Sequence, residues 1–304
     1  MSYMNRVTNI RRIDGAVSTR VPGEFVTTDQ LRQHVPSIFA TEAHDSRSAR
    51  FAPIPTFRLV EALHENGFGV VSAVQSRTRD ASRKEFTKHM LRFRRLDAKV
   101  GSDRRVGDVF PEVTMVNAND GTSAYHLMAG LFRLICLNGM TVSDNAFEPV
   151  RVGHTGNVVD KVIEGTFRVL GDSDMALNRA DEWATVQLDR QMQVAFAEAA
   201  RVVRFGDHEG NLPGNLPITA EQLLAPRRAA DRANDLWTIT NRIQENAIRG
   251  GLSGMREVLN EEGRMVRRRM TTRPINGIDG DLRVNRGLWM LAEAMGSQFV
   301  PAAA

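Results

Sequence analysis

The chain of 304 residues has a single cysteine, Cys136, so neither an intramolecular disulfide nor a cysteine-rich zinc site can form. Tyrosine occurs only at Tyr3 and Tyr125, and aromatic residues make up 6% of the chain, which argues against a sequence-reading RNA surface of stacked rings. No run of about 18 apolar residues is present, so no transmembrane helix is expected. Met1 to Asp14 carries Arg6, Arg11 and Arg12 without an apolar core, and no secretory signal is expected there. The seven histidines are dispersed and none pairs with another at i, i+4, so no metal site is expected. Phosphate-binding glycine loops, nucleophile elbows and acid pairs at helical spacing are also missing. The sequence thus predicts a protein that is not an enzyme and needs no cofactor.

Hydrophobic residues at 42% and charged residues at 25% sit near the globular average, which predicts a folded core and a cytoplasmic protein. Lysine is scarce: Lys84, Lys88, Lys99 and Lys161 are the only ones among 40 basic residues. Arginine suits phosphate because its planar fork binds bidentately, although a GC-rich genome would give the same bias. The placement of the cations is more telling. From Arg77 to Arg105 eleven basic residues face four acidic ones, a local balance of +7 in a chain of +4 overall. A cationic strip of this density predicts a polyanionic partner, most commonly nucleic acid. The competing reading is that these cations keep a sheet edge soluble and unpaired. A second cluster, Arg264, Arg267, Arg268, Arg269 and Arg273, has no acid within it but follows Glu261 and Glu262.

Along the chain, residues 1–66 read as an arm with short helices. Thr28 can cap one over Asp29 to His34, and Thr56 to Asn66 has helical spacing that stops at Gly67. Residues 67–157 form the expected core. Val70 to Ser76, Phe86 to Leu96 and Val109 to Val116 are three strand-like runs, which predict an antiparallel meander. Ala124, Leu127, Met128, Leu131, Leu134 and Ile135 follow i, i+3, i+4 spacing, which predicts a capped helix from Thr122 or Ser123 to Leu137. That helix would cover one sheet face and leave the arginines on the other, exposed. Residues 158–304 read as helical: Val158 to Leu170, Ala180 to Phe205, a short helix near Thr219, Arg232 to Arg249 and Leu282 to Gly296. The Gly206 to Pro217 loop is the best internal boundary. The fold class is therefore α+β, an antiparallel β-meander backed by a helix with a largely helical C-terminal half.

Smaller features have plainer readings. Cys136 reads as a buried thiol, and Asn119-Asp120-Gly121 as a tight turn rather than a cation site. His154, between Gly153 and Gly156, is either a loop organiser or a ligand contact. Asp103, Asp108 and Glu112 are the one acidic group near the basic strip that a nuclease could use.

Several segments resemble a known family when taken in order. They are Lys84-Glu85-Phe86-Thr87-Lys88-His89-Met90-Leu91-Arg92-Phe93-Arg94, then Asn119-Asp120-Gly121 with Gly130 to Met140, then Arg151 to Asn157, then Thr272-Arg273-Pro274-Ile275 leading to Leu288-Trp289. Together they resemble the phage- and plasmid-borne domain-of-unknown-function family 932, which includes the YafZ and YfjQ prophage proteins. The resemblance spans about Val70 to Phe299 and carries no catalytic residues over. It implies a role on mobile elements, in DNA processing, recombination or evasion of defence. The expected meander and helix also resemble, at fold level only, the core of the phage annealing proteins RecT and Red-beta.

These readings converge on a single-stranded-DNA-binding protein that promotes strand annealing, self-assembles as a homo-oligomer and does not act at a membrane. Arg92 and Arg94 would grip phosphates, helped by Arg77, Arg79, Lys84 and Lys88, with Arg267, Arg268 and Arg269 as a second contact. The alternative is an anti-defence or assembly protein of a mobile element that uses the basic face on an acidic protein partner.

Overall fold

The computed structural model describes residues 15–19, 23–41, 55–98, 109–119, 123–133, 138–142, 148–154 and 156–299. The fold is α+β, with an antiparallel sheet and a helical C-terminal part. The chain divides into two compact units at Leu177/Asn178.

The first unit holds β1 (Ala16–Ser18), α1 (Thr28–His34), α2 (Thr56–Glu65), β2 (Phe68–Gln75), β3 (His89–Arg95), β4 (Val109–Ala118), β5 (Ser123–Arg133), β6 (Asn138–Thr141) and β7 (Val150–Val152). It also holds most of α3 (Val158–Trp183). Strands β1 to β6 lie side by side in sequence order, and β7 pairs with β5 ahead of β6; every pairing is antiparallel. The expected meander is thus present as β2, β3 and β4. Thr27, one residue before Thr28, caps α1, with Gln30 closing a capping box.

The expected helix over 123–137 is not formed. Ser123 to Arg133 is strand β5, β6 follows at Asn138, and residues 134–137, with Cys136, lie outside the described residues. The reason is visible in the burial. Tyr125, Leu127, Ala129 and Leu131 are at most 2% exposed on one face, while Met128 on the other is only 8% exposed. A strand covered on both faces loses polar alternation, and its apolar positions then also satisfy helical spacing. Gly130 sits where a side chain would crowd the Thr114 hydroxyl and the Met140 carbonyl, at 3.2 and 3.3 Å.

A helix does back the sheet, but it is α3. Gly165 lies so close to Leu127 and Val150 that a Cβ would stand 2.8 and 2.9 Å from them. Phe167 meets Phe68 edge-on at 5.5 Å. The Ser173 hydroxyl donates to the Glu112 carbonyl at 2.8 Å and accepts the Gly130 N–H at 3.3 Å. This face of the sheet, with Leu91, Phe93, Val113 and Met115 all at most 1% exposed, forms the core. Burial of this kind contributes roughly 1.5–3 kcal/mol per large side chain.

The second unit contains α4 (Arg190–Phe205), α5 (Ala220–Leu224), α6 (Leu236–Arg249), the hairpin β8 (Ser253–Leu259) and β9 (Met265–Thr271), and α7 (Ile278–Gly296). The expected single helix over 180–205 is interrupted: α3 ends at Trp183, and α4 restarts where the Asp189 carboxylate accepts the Met192 N–H at 2.9 Å. Thr219 caps α5 as its position predicts. Helix α6 is buried on every side from Leu236 to Ala247, so its polar residues must find internal partners. Gln244 donates to Asn285 at 2.6 Å, Asn246 donates to the Leu223 carbonyl at 2.8 Å, and Glu245 accepts from Arg228 at 2.6 Å and Arg249 at 2.9 Å. Trp289 of α7 meets Trp183 with ring centroids 4.5 Å apart and the planes tilted at 45°.

Candidate nucleic-acid interface

The nine predicted contact residues separate into three environments. Arg92 and Arg94 are not on an exposed face. They are 6% and 4% exposed, and between them lies Glu112, fully buried. Register explains the grouping. Arg92 opposes Thr114, and Glu112, two residues away on β4, shares that face with Arg94. Arg94 donates to Glu112 at 2.6 Å, Arg92 approaches the other carboxylate oxygen at 3.8 Å, and the Arg94 guanidinium lies 4.2 Å from the Phe110 ring and 4.8 Å from Phe132. Arg92 also donates to the Gly139 carbonyl at 3.2 Å and the Thr141 hydroxyl at 3.1 Å. Those acceptors belong to β6, three strands from β3, about 14 Å away on a flat sheet. One side chain spans that distance only because the sheet curls towards this face, helped by the register shifts at Val70/Ser72 and Val116/Ala118. The alternation that groups the arginines is correct, but the curl and the Glu112 counter-ion turn their face inward. Arg92 and Arg94 shape the sheet rather than its surface.

Arg77, Arg79 and Lys84 are exposed, together with Arg83, on the connection between β2 and β3; Lys88 is half-buried at its end. The base of this connection is fixed. The Ser76 N–H donates to the Lys88 carbonyl at 2.7 Å, and His89 bonds the Thr87 carbonyl through Nδ1 and the Thr56 hydroxyl through Nε2. Asn117 donates to the same hydroxyl and to Asn119, both at 3.1 Å, and Asn119 donates to the Ser37 carbonyl at 2.7 Å. Tyr125 completes this buried polar group, and burial pushes its phenol up to about 12.

Beside the connection, His126 on β5 stands directly opposite the exposed Arg151 on β7. Burial first, then Arg151 and Lys88, holds the imidazole below its ordinary range. This end of the unit is therefore a rim of cations. His154 is a loop organiser: its Nε2 bonds the Ser123 carbonyl at 3.0 Å and its ring packs 4.7 Å from Tyr125.

Arg267, Arg268 and Arg269 lie on β9 of the hairpin in the second unit, and all three are exposed. Their consecutive order puts Arg267 and Arg269 on one face and Arg268 on the other. Arg268 stands directly across from Arg256 on β8, which is also exposed. Like charges placed opposite in a sheet repel. Arg269 faces Met255, Arg267 faces Glu257, and Leu259 faces Met265 nearest the turn. Met255, Leu259 and Met265 are 53%, 68% and 60% exposed, so one face of the ribbon sets Arg267 and Arg269 beside uncovered apolar side chains, with the exposed Glu257 opposite Arg267. The turn is held by Asn260, whose Oδ1 accepts the Glu262 and Arg264 N–H groups.

Sequence reasoning missed Arg256, Arg151 and the role of Glu112 as the counter-ion of Arg92 and Arg94. Arg256 could have been found by folding the chain back about Asn260 to Gly263; the other two depend on strand neighbours distant in sequence. Glu112 cannot serve a nuclease between two guanidiniums, and its proposed companions Asp103 and Asp108 lie outside the described residues, as do Asp120 and Gly121 of the tight turn. Among the described residues no group of three or more His, Cys, Asp or Glu could hold a metal ion, and no helix is long and apolar enough to cross a membrane.

The chain belongs to the family described as Domain of unknown function (DUF932), whose model matches residues 43–289. It is 44% identical to the UPF0380 protein YafZ of Escherichia coli K12 over 274 residues, 90% of this chain and 92% of that one. It is 43% identical to the UPF0380 protein YfjQ of the same strain over the same shares. No solved structure matches the chain.

Proposed function

We propose that the protein binds single-stranded DNA through its exposed arginines and promotes strand annealing on mobile elements without a chemical step. The observation that carries this reading is the ribbon pair Arg256 and Arg268, exposed and directly opposed, with Arg267 and Arg269 exposed on the other face of the same ribbon. A hairpin that sets two guanidiniums against each other gains from an anion that bridges them, and a phosphate backbone supplies one at every nucleotide. Arg77, Arg79, Arg83, Lys84 and Arg151 form a second contact on the first unit. Met255, Leu259 and Met265 suit the bases of an unpaired strand, whose apolar faces are accessible only when unstacked. Self-assembly would align protomers along one strand and favour pairing.

The same apolar side chains support a second reading, in which the ribbon docks on an acidic protein partner. Fluorescence anisotropy with labelled single- and double-stranded oligonucleotides across a salt series separates the two. Tight binding that prefers the single strand and weakens steeply with salt is the expected result. Absence of binding at low salt removes nucleic acid and leaves the protein partner.

A further inference from the structure

The ribbon of the second unit is rooted at the C-terminal ends of two helices. Thr272 donates its N–H to the Leu252 carbonyl at 2.7 Å and its carbonyl accepts the Gly251 N–H at 2.9 Å, so the β8–β9 pairing runs on to the end of α6. Gly250 follows α6 with φ +64°, and a Cβ there would stand 2.7 Å from the Arg273 carbonyl carbon, so the two backbones are held in close contact. Two guanidiniums meet at this corner. Arg204 donates to the Ala247 carbonyl of α6 at 2.9 Å and to the Arg273 carbonyl at 3.1 Å. Arg283 of α7 donates to the Val203 carbonyl of α4 at 2.6 Å.

All three acceptors are neutral. Among the described residues none of Arg204, Arg273 and Arg283 is in an ion pair, whereas Arg201, Arg228 and Arg249 of the same unit each have a carboxylate. Burial first, then the charge of Arg283, holds the Arg204 guanidinium below its ordinary range, and no carboxylate acts to raise it. Capping the helices accounts for part of this charge only. Each helix end carries about half a negative charge, so the ends of α4 and α6 together offset about one of the two guanidiniums. Arg273 adds a further cation, and both Arg273 and Arg283 are exposed while Arg204 is half-buried behind them. Arg273 also continues the parity of Arg267 and Arg269, about 13 Å along the chain from Arg269, so the cations of that ribbon face lead to the corner.

We propose that this corner seats a backbone phosphate of the single strand held by the ribbon, contacted by Arg283, with Arg273 on the approach and Arg204 supplying charge from behind. The inference rests on the DNA reading and extends its contact surface beyond the hairpin. A nucleic-acid backbone carries a charge at every nucleotide, so one strand can engage ribbon and corner together.

The test is fluorescence anisotropy of the full chain with a labelled single-stranded oligonucleotide across a salt series. Arg273→Gln/Arg283→Gln should flatten the salt slope by about 1.4, two phosphate contacts on a single strand, and weaken binding about tenfold. Arg232→Gln is the control. It removes one exposed charge before the other end of α6, about 20 Å away along that helix, and should leave the slope nearly unchanged. Arg283 holds a helix carbonyl, so the single variant Arg273→Gln, whose side chain holds no described element in place, should show about half of the effect, a slope change of about 0.7. If the wild type binds and the ribbon variant is weakened, but the corner variants behave like Arg232→Gln, the corner is overturned and the DNA reading stands. If the wild type fails to bind at low salt, both fall.

Discussion

Arg94 donates to Glu112 at 2.6 Å inside the curled sheet, with its guanidinium held between the rings of Phe110 and Phe132. Two cations and one carboxylate are thereby taken out of water together, an arrangement whose desolvation cost is offset only while all members are present. Glu112→Ala removes the shared anion and should cost about 3–5 kcal/mol of stability, measured as a lowered urea midpoint. A loss under 1 kcal/mol would show that the cluster relaxes to solvent. The same logic says that alanine at Arg92 and Arg94 tests folding and not DNA contact.

The ribbon offers the cleaner test of binding. Replacing Arg267, Arg268 and Arg269 by alanine should change stability by no more than about 0.5 kcal/mol per site, because all three are exposed. If each contacts one phosphate, the salt slope for single-stranded DNA should flatten by about 2. Unchanged affinity and slope in the folded variant would falsify the ribbon as the contact surface.

Local pattern made part of this structure readable. The runs that became α2, β2, β3 and β4 carry their own period and their own stops, and Thr219 marks α5 through its cap. Strand β5 defeated the same reasoning because both of its faces are covered, which removes the polar half of the alternation. Alternation correctly placed Arg92 with Arg94, yet it says nothing of which face closes. That depends on Glu112 from the next strand and on the reach of Arg92 to β6, contacts between residues 20 to 49 positions apart in sequence that no local window contains. The second arginine cluster was legible as charge, whereas its ribbon geometry required the pairing of Arg256 with Arg268.

Gly139 tests the curl directly. A Cβ there would stand 2.5 Å from Arg92 Nη1 and 2.6 Å from Cζ. Gly139→Ala must therefore expel the guanidinium from its bonds to the Gly139 carbonyl and the Thr141 hydroxyl, costing about 1–3 kcal/mol. Arg92→Met removes the clashing atoms, so the double variant should be less destabilised than the sum of the singles. Strict additivity, measured by chemical denaturation, would mean that the two residues do not meet.

His126 reports on the cationic rim. Its folded-state affinity for a proton lies below the ordinary value of 6.5, first through burial and then through Arg151 and Lys88. A histidine depressed on folding binds more protons when unfolded, so its contribution is neutral well above pH 6.5 and becomes destabilising as pH falls through that value. Stability should therefore drop between about pH 7 and pH 5, and His126→Gln should reduce the drop; His154, also depressed by burial, acts in the same direction. Arg151→Ala should raise the His126 midpoint in an NMR titration, but only part of the way, since burial is the larger cause. A DNA phosphate seated beside Arg151 and Lys88 should raise it as well, because it adds negative charge where two positive charges now oppose protonation. A midpoint unmoved by saturating single-stranded DNA would place the contact elsewhere and leave the ribbon as the binding surface.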